Sequence, residues 1–499
     1  MTANPVYVME ISPGLPAGTS PKASVAGSRC DTHAAGLSMT SLHLLREPFE
    51  GDLGHERTMR QWISLSYRFP VVDIAQVPGQ HALVVAAGPV DVPLDALLTG
   101  DGLSCVYQPF VDLDTGSVLA HEALLRGPAA TAWESPSVLL HAAGDAGRLV
   151  ELEACSLRGS LQRAERESRG RPLTLFVNIE PSTLTQRLDV VLELLASRAE
   201  QVQVVVEITE RALAADLAGV LSGAEKLRAA GCAIALDDVG VEPQSLAFIP
   251  LLRPEVVKLD LGLLRTTGDM ATITVAGAVR AYAEASGAEV VAEGIETPED
   301  LTRALVLGAT LGQGWLWGRP TGHLEATTFR PERFAARPIG LGLRTAPFEV
   351  VRRVRAVRRA PKDLLLPISK TLELTALQSR VPPVLLAGFE HARFFTPATA
   401  RRYAELGARL PFVGVLGVDM PPVPAPGVRG TGLSVQDPLA SEWTLVVLGA
   451  HESAALIARD LGDQGPDGDR SFEFVVTYDR DLITTAAHSL VGRLASDLH

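Results

Sequence analysis

Residues 202–240 read VQVVVEITERALAADLAGVLSGAEKLRAAGCAIALDDVG and alternate between two kinds of segment. Two short apolar runs, Val202–Ile208 and Cys232–Leu236, predict strands. The segment Ala212–Ala230 between them predicts an amphipathic helix, and Gly231 directly after it is typical of a helix C-terminus. Because a helix separates the two strands, the stretch predicts a strand–helix–strand unit with parallel strands.

The same alternation recurs from about Gly102 to Pro320. Further strands are predicted at Cys105–Leu113, Leu173–Ile179, Val256–Leu259 and Glu289–Ala292. This many repeats predict an α/β fold in which the sheet closes on itself, a modified TIM-like (β/α)8 barrel surrounded by helices.

The first two predicted strands of the barrel are connected differently from the later ones. The turn-forming residues 114–117 (DTGS) separate the predicted strands Tyr107–Leu113 and Val118–Leu125. Such a short polar connection is a hairpin signal, so one of these two strands is expected to run antiparallel to its neighbour.

The remaining chain is expected to form four further segments. Residues 1–55 are rich in Pro, Gly, Ser and Thr and predict disorder. Residues 56–93 have no assigned role and contain a possible helix near Thr58–Leu65 and a strand-like run His81–Ala87. The barrel is assigned to residues 94–325 and is followed by an Arg-rich linker, residues 326–364. Residues 365–499 predict a smaller α/β domain with an open sheet.

Two details of the C-terminal part are open to test. The segment Val351–Arg359 places five arginines around valines and predicts an amphipathic connecting helix with a solvated basic face. A contact with nucleic acid or lipid headgroups is the alternative, which the acidic balance of the chain disfavours. In the C-terminal domain, helices are predicted near Thr396–Arg409, Ser453–Leu461 and Leu482–Leu494.

Composition limits the function classes. With 45 basic and 58 acidic residues the net charge is −13, so no stable nucleic-acid or membrane partner is expected. The four cysteines are scattered, as in a reducing compartment. No secretory signal and no apolar run near 20 residues is visible, so a cytoplasmic protein is expected.

Polar side chains follow the predicted strands one after another. Because the C-terminal ends of barrel strands share one rim, these side chains are expected to converge. An isolated acid after a strand is usually a turn former, but five carboxylates on one rim repel each other unless cations lie among them. Oxygen ligands favour Mg²⁺ or Mn²⁺, and the adjacent pair Asp237-Asp238 suits a site with two ions. The residues concerned are Glu122, Asn178, Glu207, Asp237, Asp238, Lys258, Glu293 and Gln313.

Residues 95–325 resemble the EAL family of cyclic di-GMP phosphodiesterases. Eight motifs occur in family order, which is hard to obtain by chance, whereas a lone Glu-Ala-Leu would carry no weight. Their sequences are YQP (107–109), EALLR (122–126), FVNI (176–179), EITE (207–210), DDVG (237–240), VKLD (257–260), AEGIE (292–296) and GQGW (312–315).

The resemblance implies hydrolysis of cyclic di-GMP to linear pGpG, two Mg²⁺ or Mn²⁺ ions as cofactors, and a homodimer formed through the barrel. It implies metal ligation by Glu122, Asn178, Glu207, Asp237, Asp238 and Glu293. Catalytic roles are implied for Glu122, Lys258, Glu210 and Gln313, of which Glu210 would brace the loop after Asp238. Substrate contacts are implied for Gln108, Leu124, Arg126, Asp260 and Glu296.

The chain departs from the family pattern in the loop after the paired aspartates. Where the family usually shows Phe-Gly, a small residue, Gly, an aromatic and a small pair, the run Val239–Ser245 reads VGVEPQS. It loses a glycine and gains Pro243, which fixes φ and removes an N–H donor. Glu180 also replaces a frequent Ser. Two alternatives to catalysis therefore stay open: a barrel that binds cyclic di-GMP without cutting it, and a scaffold that ignores the nucleotide.

The C-terminal part, about residues 365–499, resembles the DICT sensory domain. The similarity lies in Phe412–Val418, in 442–447 (EWTLVV) and in 472–480 (FEFVVTYDR). It implies that this domain regulates the barrel, and the sequence does not indicate which ligand it senses.

Overall fold

The structure, a computed structural model, describes most of the chain from residue 93 onward and four short segments before it. The described residues are 6–11, 23–25, 71–77, 80–86, 93–99, 102–129, 131–209, 213, 215–240, 243–265, 270–339, 345–463 and 466–494.

The chain divides into two compact units, residues 1–104 with 126–148 and residues 105–125 with 149–499. The first contains an antiparallel sheet of order β2-β1-β4-β3. Its elements are β1 (Val6–Ile11), β2 (Ala23–Val25), β3 (Val71–Val77), β4 (Gln80–Ala86), α1 (Leu94–Thr99) and α2 (Pro136–Asp145). Strand β4 agrees with the predicted run His81–Ala87, whereas the predicted helix Thr58–Leu65 lies outside the described residues. Within the segment expected to be disordered, the structure describes β1 and β2.

The second unit begins with a closed barrel of eight strands in the order β10-β11-β12-β5-β6-β7-β8-β9. The strands are β5 (Ser104–Asp112), β6 (Val118–Arg126), β7 (Leu173–Asn178), β8 (Val202–Thr209), β9 (Ala233–Val239), β10 (Val256–Leu259), β11 (Glu289–Ala292) and β12 (Leu311–Gly312). Strand β5 pairs antiparallel with β12, while β6 through β12 pair in parallel. The predicted barrel with one antiparallel strand is confirmed.

Helices surround the barrel. They are α3 (Leu149–Ser168), α4 (Pro181–Gln186), α5 (Leu188–Ala196), α6 (Leu217–Ala229), α7 (Ile249–Leu252), α8 (Leu261–Arg265), α9 (Met270–Ser286) and α10 (Pro298–Leu307). Short 3-10 turns lie at Ala132–Glu134, Pro243–Phe248 and Pro331–Phe334. Because helices cover the strands outside and side chains fill the interior, the parallel strands are buried on both faces, which explains their continuous apolar runs.

Three phenylalanine rings pack against one another in the barrel interior. The rings of Phe110 and Phe176 lie 4.4 Å apart, and Phe334 packs edge-on against Phe176 at 5.5 Å. Arg333 forms ion pairs with Asp112 and Glu289. The segment expected to begin a linker at residue 326 therefore packs as part of the barrel.

The predicted helix Val351–Arg359 is wrong. Helix α11 (Pro347–Val351) ends where that prediction begins, and strand β13 (Arg358–Pro361) pairs antiparallel with a C-terminal strand. Three of the arginines pair with carboxylates instead of presenting a free basic face: Arg352 with Glu349, Arg355 with Asp479, and Arg359 with Glu473. Arg352 and Arg355 make these pairs from the turn after α11 and Arg359 from strand β13, so the helical spacing of the arginines does not decide the local structure.

The C-terminal domain is an open sheet of order β13-β19-β18-β17-β14-β15-β16 with helices on its faces, as predicted. After β13 come β14 (Val384–His391), β15 (Val413–Val418), β16 (Arg429–Leu433), β17 (Glu442–Leu448), β18 (Ser453–Asp460) and β19 (Ser471–Thr477). The helices are α12 (Lys362–Gln378), α13 (Pro397–Gly407) and α14 (Arg480–Leu494), with 3-10 turns at Ala392–Phe394, Pro438–Ser441 and Asp467–Asp469.

The helix predicted at Ser453–Leu461 is wrong, because this segment is the strand β18. It pairs antiparallel with β17 on one side and with β19 on the other. Its alanines favour a helix, but the pairing of both edges overrides that local preference. Among the described residues, no helix combines the length and the apolar character that a membrane span requires.

Candidate metal centre

Four carboxylates from four different strands surround the ammonium group of Lys258. The Nζ atom of Lys258 lies 2.7 Å from Glu207, 2.7 Å from Glu293, 3.1 Å from Asp237 and 3.9 Å from Glu122. Lys258 is 1% exposed. The expected convergence of the strand ends therefore occurs, with the lysine of β10 at its centre.

A β-bulge brings both neighbouring aspartates to this site. Val257 of β10 pairs with Leu236 and Leu259 pairs with Val239, so Asp237 and Asp238 together lie opposite the single residue Lys258. In a regular strand, adjacent side chains point to opposite faces. The bulge removes this restriction, and Asp238 adopts a left-handed backbone conformation with φ 59°. Carboxylate oxygens of Asp237, Asp238 and Glu293 consequently lie within 4.8 Å of one another.

Glu122 is held by two carboxamides. The side-chain amide of Asn178 donates to Oε1 of Glu122 at 3.0 Å, and that of Gln313 donates to Oε2 at 2.7 Å. Burial raises the pKa of Glu122, but the charge of Lys258 and these hydrogen bonds outweigh it and hold the pKa below its usual value. Glu122 is thus an ionised carboxylate inside the barrel rim.

Among the described residues around Lys258, the negative charges outnumber the positive ones. One ammonium group faces four carboxylates, and burial together with repulsion from Glu122 raises the pKa of Glu207 well above its usual value. Burial and repulsion from Asp237 likewise raise the pKa of Glu293. Burial alone would lower the pKa of Lys258, yet the surrounding carboxylates raise it. The cluster therefore takes up either protons or cations at neutral pH.

The surroundings of Glu207 indicate that the cluster suits cations rather than protons. Both of its carboxylate oxygens are buried and accept no hydrogen bond among the described residues; the contact with Lys258 is an ion pair without hydrogen-bond geometry. Buried carboxylate oxygens that accept no hydrogen bond are costly unless a ligand meets them. Hard oxygen donors of this kind fit Mg²⁺ or Mn²⁺, so the residues present fit the implied cation.

The other predicted site residues lie around this cluster or beyond it. Asp260 follows β10 and accepts a hydrogen bond from the backbone of Gly262 at 2.6 Å. Glu296 lies 3.9 Å from the exposed Arg265. Three half-buried residues stand on the first two barrel strands: Gln108 on β5, and Leu124 and Arg126 on β6. Glu210 lies outside the described residues.

Sequence reasoning missed Glu153 of helix α3. Its Oε1 accepts a hydrogen bond from the backbone N–H of Glu180, two residues after Asn178. Burial raises the pKa of Glu153 to about 7. An acid within the apolar stripe beside Leu152 and Leu157 was the available signal.

Comparison with known families assigns both parts of the chain. Residues 93–320 match the model of the EAL domain. The barrel is an EAL domain. Residues 351–461 match the DICT model, described as a sensory domain in diguanylate cyclases and two-component systems. The two matches agree with the resemblances read from the motifs.

Relatives of the EAL barrel include named enzymes. The chain is 27% identical over 318 residues to the cyclic di-GMP phosphodiesterase RocR of Pseudomonas aeruginosa, covering 59% of this chain and 76% of RocR. It is 31% identical over 236 residues to a second cyclic di-GMP phosphodiesterase of that species, covering 45% of this chain and only 39% of the relative. Among solved structures, the manganese/cy-diGMP complex of Klebsiella pneumoniae BlrP1 matches with a TM-score of 0.41 and 26% identity, covering 45% of this chain and 57% of that chain.

Proposed function

We propose that the EAL barrel hydrolyses cyclic di-GMP to linear pGpG with two divalent cations, Mg²⁺ or Mn²⁺, under the control of the C-terminal DICT domain. The observation that carries the proposal is the carboxylate cluster around Lys258, in which the buried oxygens of Glu207 accept no hydrogen bond among the described residues and a bulge supplies both aspartates. The names of the two Pseudomonas aeruginosa relatives support the substrate.

The metal ligands divide into two sets that share one residue. Glu122, Asn178, Glu207 and Asp237 would hold the first cation, and Asp237, Asp238 and Glu293 the second. Sharing Asp237 suits two cations held close together. When bound, such cations neutralise the charge on the phosphodiester and lower the pKa of the attacking water.

The protein's own groups orient the reaction. Lys258 provides an ammonium that directs the water and compensates charge, while Gln313 fixes Glu122 through its hydrogen bond. A bond forms from the water oxygen to phosphorus, the bond from phosphorus to the ribose 3′ oxygen breaks, and the water proton is passed on so that the 3′ hydroxyl leaves neutral. Glu122 completes the catalytic set, and Glu210 is proposed to brace the loop after Asp238.

The substrate is proposed to lie over the rim, where β5 and β6 provide Gln108, Leu124 and Arg126. The guanidinium of Arg126 suits a phosphate contact, because it offers several donors in one plane. Asp260 is proposed to accept a hydrogen bond from the substrate, and Glu296 to support the rim.

The test is turnover by the full-length protein. With Mn²⁺ or Mg²⁺, we expect chromatography to show conversion of cyclic di-GMP to pGpG, and we expect Glu122→Ala to reduce it by about 100-fold or more. Glu165→Gln, at an exposed position on α3, is the matched control and should leave the rate unchanged. Calcium should inhibit, because its larger and looser coordination misplaces the water. Equal rates in Ca²⁺ and Mg²⁺ would contradict the proposed geometry.

A second candidate is a receptor that binds cyclic di-GMP without cutting it. The altered run Val239–Ser245 favours it, since Pro243 restricts a loop that directly follows the paired aspartates. Tight binding of cyclic di-GMP by the wild-type protein with no pGpG formed would select this candidate over the enzyme.

We also propose that the protein forms a homodimer through the barrel. Helices α9 and α10 pack against each other and expose apolar side chains, of which Met270 is 65%, Ile273 50% and Val306 70% exposed. Exposed apolar side chains on two neighbouring helices offer surface to a second copy of the chain. Sedimentation equilibrium should report a dimer, and Val306→Glu should shift it toward monomer; a monomeric wild-type protein would contradict the proposal.

A further inference from the structure

Over its C-terminal half, helix α14 of the C-terminal domain is buried on every side, whereas Asp481 and Thr485 in its first turns are exposed. Ten of its fifteen residues are buried, including the unbroken run Ala486–Val491. Six consecutive residues cover more than one full turn of an α-helix, which takes 3.6 residues. A helix that packs on one face only would leave an exposed stripe. Helix α14 is therefore covered by two different partners.

One partner is the sheet of its own domain and the other is the barrel. Within its own part of the chain α14 contacts helix α11 and the strands β14, β15, β17 and β18, and in the barrel it contacts the helices α6 and α7. Leu490 of α14 belongs to the same hydrophobic cluster as Leu221 of α6 and Leu251 of α7. The two domains thus share one apolar core, and α14 packs between them.

A buried hydrogen bond joins α14 to the barrel helix α7. Nε2 of His488 lies 2.7 Å from the backbone carbonyl oxygen of Leu251, and His488 is 4% exposed. Burial lowers the pKa of His488, and the charges of Arg253 and Arg228 act in the same direction. The hydrogen bond to Leu251 and the charge of Glu225 oppose this lowering without outweighing it. The neutral ring donates its N–H to a carbonyl at the end of α7. The last carbonyl groups of a helix have no hydrogen-bond partner within the helix, so this bond satisfies one of them.

In the sequence, helix α7 lies between β9 and β10, the two strands that pair at the bulge. Arg228 binds the next two carbonyls, those of Leu252 and Arg253, at 2.9 Å each. It also pairs with buried Glu255, whose Oε2 accepts a hydrogen bond from the backbone of Ile234 in β9. Strand β10 begins at Val256 and carries Lys258. The end of α7 is therefore tied to both strands that supply the centre of the metal cluster.

We infer that α14 is the element through which the C-terminal domain acts on the EAL barrel: His488 holds the end of α7 and thereby positions β9 and β10 at the carboxylate cluster. The inference deepens the proposed function, on which it rests for its biological meaning. His488 is a positioning residue, since it acts through Leu251 and the α7–β10 connection.

The experiment compares three variants of the full-length protein. His488→Leu removes the donor, His488→Gln keeps a donor near the same place, and His141→Leu removes an exposed histidine of α2 as a control. The readouts are Mn²⁺ affinity by titration and amide hydrogen exchange over residues 249–259, neither of which needs turnover. We expect His488→Leu to weaken Mn²⁺ binding roughly 5-fold and to speed exchange in that segment, while the other two resemble wild type.

Two results would overturn the inference. The first is unchanged Mn²⁺ affinity and exchange in His488→Leu, and the second is faster exchange to the same degree in β7 across the barrel, which would mean general destabilisation. If His488→Leu does not fold, His488→Asn replaces it, because the shorter amide cannot reach Leu251. If Mn²⁺ binding responds as expected but no variant cleaves cyclic di-GMP, the coupling stands and the proposed activity fails.

Discussion

At the scale of single residues, the proposed role of Lys258 implies two opposing effects on the candidate metal centre. Its ammonium stabilises the carboxylates when no cation is bound, and it competes with cations for the same oxygens. Its contribution to catalysis and its contribution to metal binding should therefore have opposite signs, which separates them experimentally.

We predict that Lys258→Met lowers kcat by about 100-fold or more while Mn²⁺ binds as tightly as in wild type or more tightly. The reason is that the variant loses the group proposed to direct the water, but also loses a positive charge that would repel a bound cation. Steady-state kinetics at saturating Mn²⁺ and a Mn²⁺ titration give the two quantities. Lys226→Met, at an exposed site on α6, is the matched control, and a parallel loss of both quantities would mean that Lys258 only maintains the fold.

At the scale of elements, the bulge of β9 depends on the turn that follows it. Gly240 has φ 106°, and a Cβ there would lie 2.3 Å from Cδ1 of Leu263 on α8. A side chain at this position therefore meets both backbone strain and a packed neighbour.

We predict that Gly240→Ala weakens Mn²⁺ binding and lowers turnover, because relief of the contact displaces the turn that carries Asp238. The strain is on the order of 1–3 kcal/mol, so thermal unfolding should also shift downward. Gly277→Ala, at an exposed site in α9 with open space around it, should be neutral or stabilise by up to about 1 kcal/mol. A wild-type Mn²⁺ affinity in Gly240→Ala would show that the turn does not position Asp238.

The sequence predicts those elements whose local pattern and tertiary environment agree. The barrel strands were predictable because burial on both faces leaves apolar runs such as Val202–Ile208, and the acids at their ends followed from the shared rim of a barrel. The segment Ser453–Leu461 was not, because its pairing with the neighbouring strands β17 and β19 overrides the helical preference of its alanines. The bulge opposite Lys258 and the bond from Glu180 to Glu153 join residues far apart in the chain, so no spacing in the sequence indicates them.

At the scale of the whole molecule, a buried acid links stability to pH. Glu442 of β17 is 2% exposed and accepts a hydrogen bond from the backbone of Phe348 in α11. Burial raises the pKa of Glu442 to about 8 from its usual 4.5. The folded protein holds a proton that the unfolded chain releases between these values, so the stability due to this group is complete below pH 4.5 and is lost as the pH rises through 8.

We predict that Glu442→Gln is more stable than wild type at about pH 8.5, by on the order of 2–4 kcal/mol, and that the difference shrinks toward about pH 5. The amide stays neutral at both values, whereas the wild-type acid must ionise in a buried place. Urea unfolding at the two pH values measures the difference. An advantage that does not change with pH would show that Glu442 keeps its usual pKa in the folded state.

The position of α14 also bears on how the protein is made. Helix α7 ends at Leu252, and α14 begins only at Arg480. At roughly 5–20 residues per second, a ribosome needs on the order of ten to fifty seconds to synthesise the intervening chain. During that interval the nascent barrel presents an uncovered apolar flank to chaperones and to other chains. A premature stop codon before the codon for Arg480 would make this exposure permanent, so such truncated products should aggregate or be degraded.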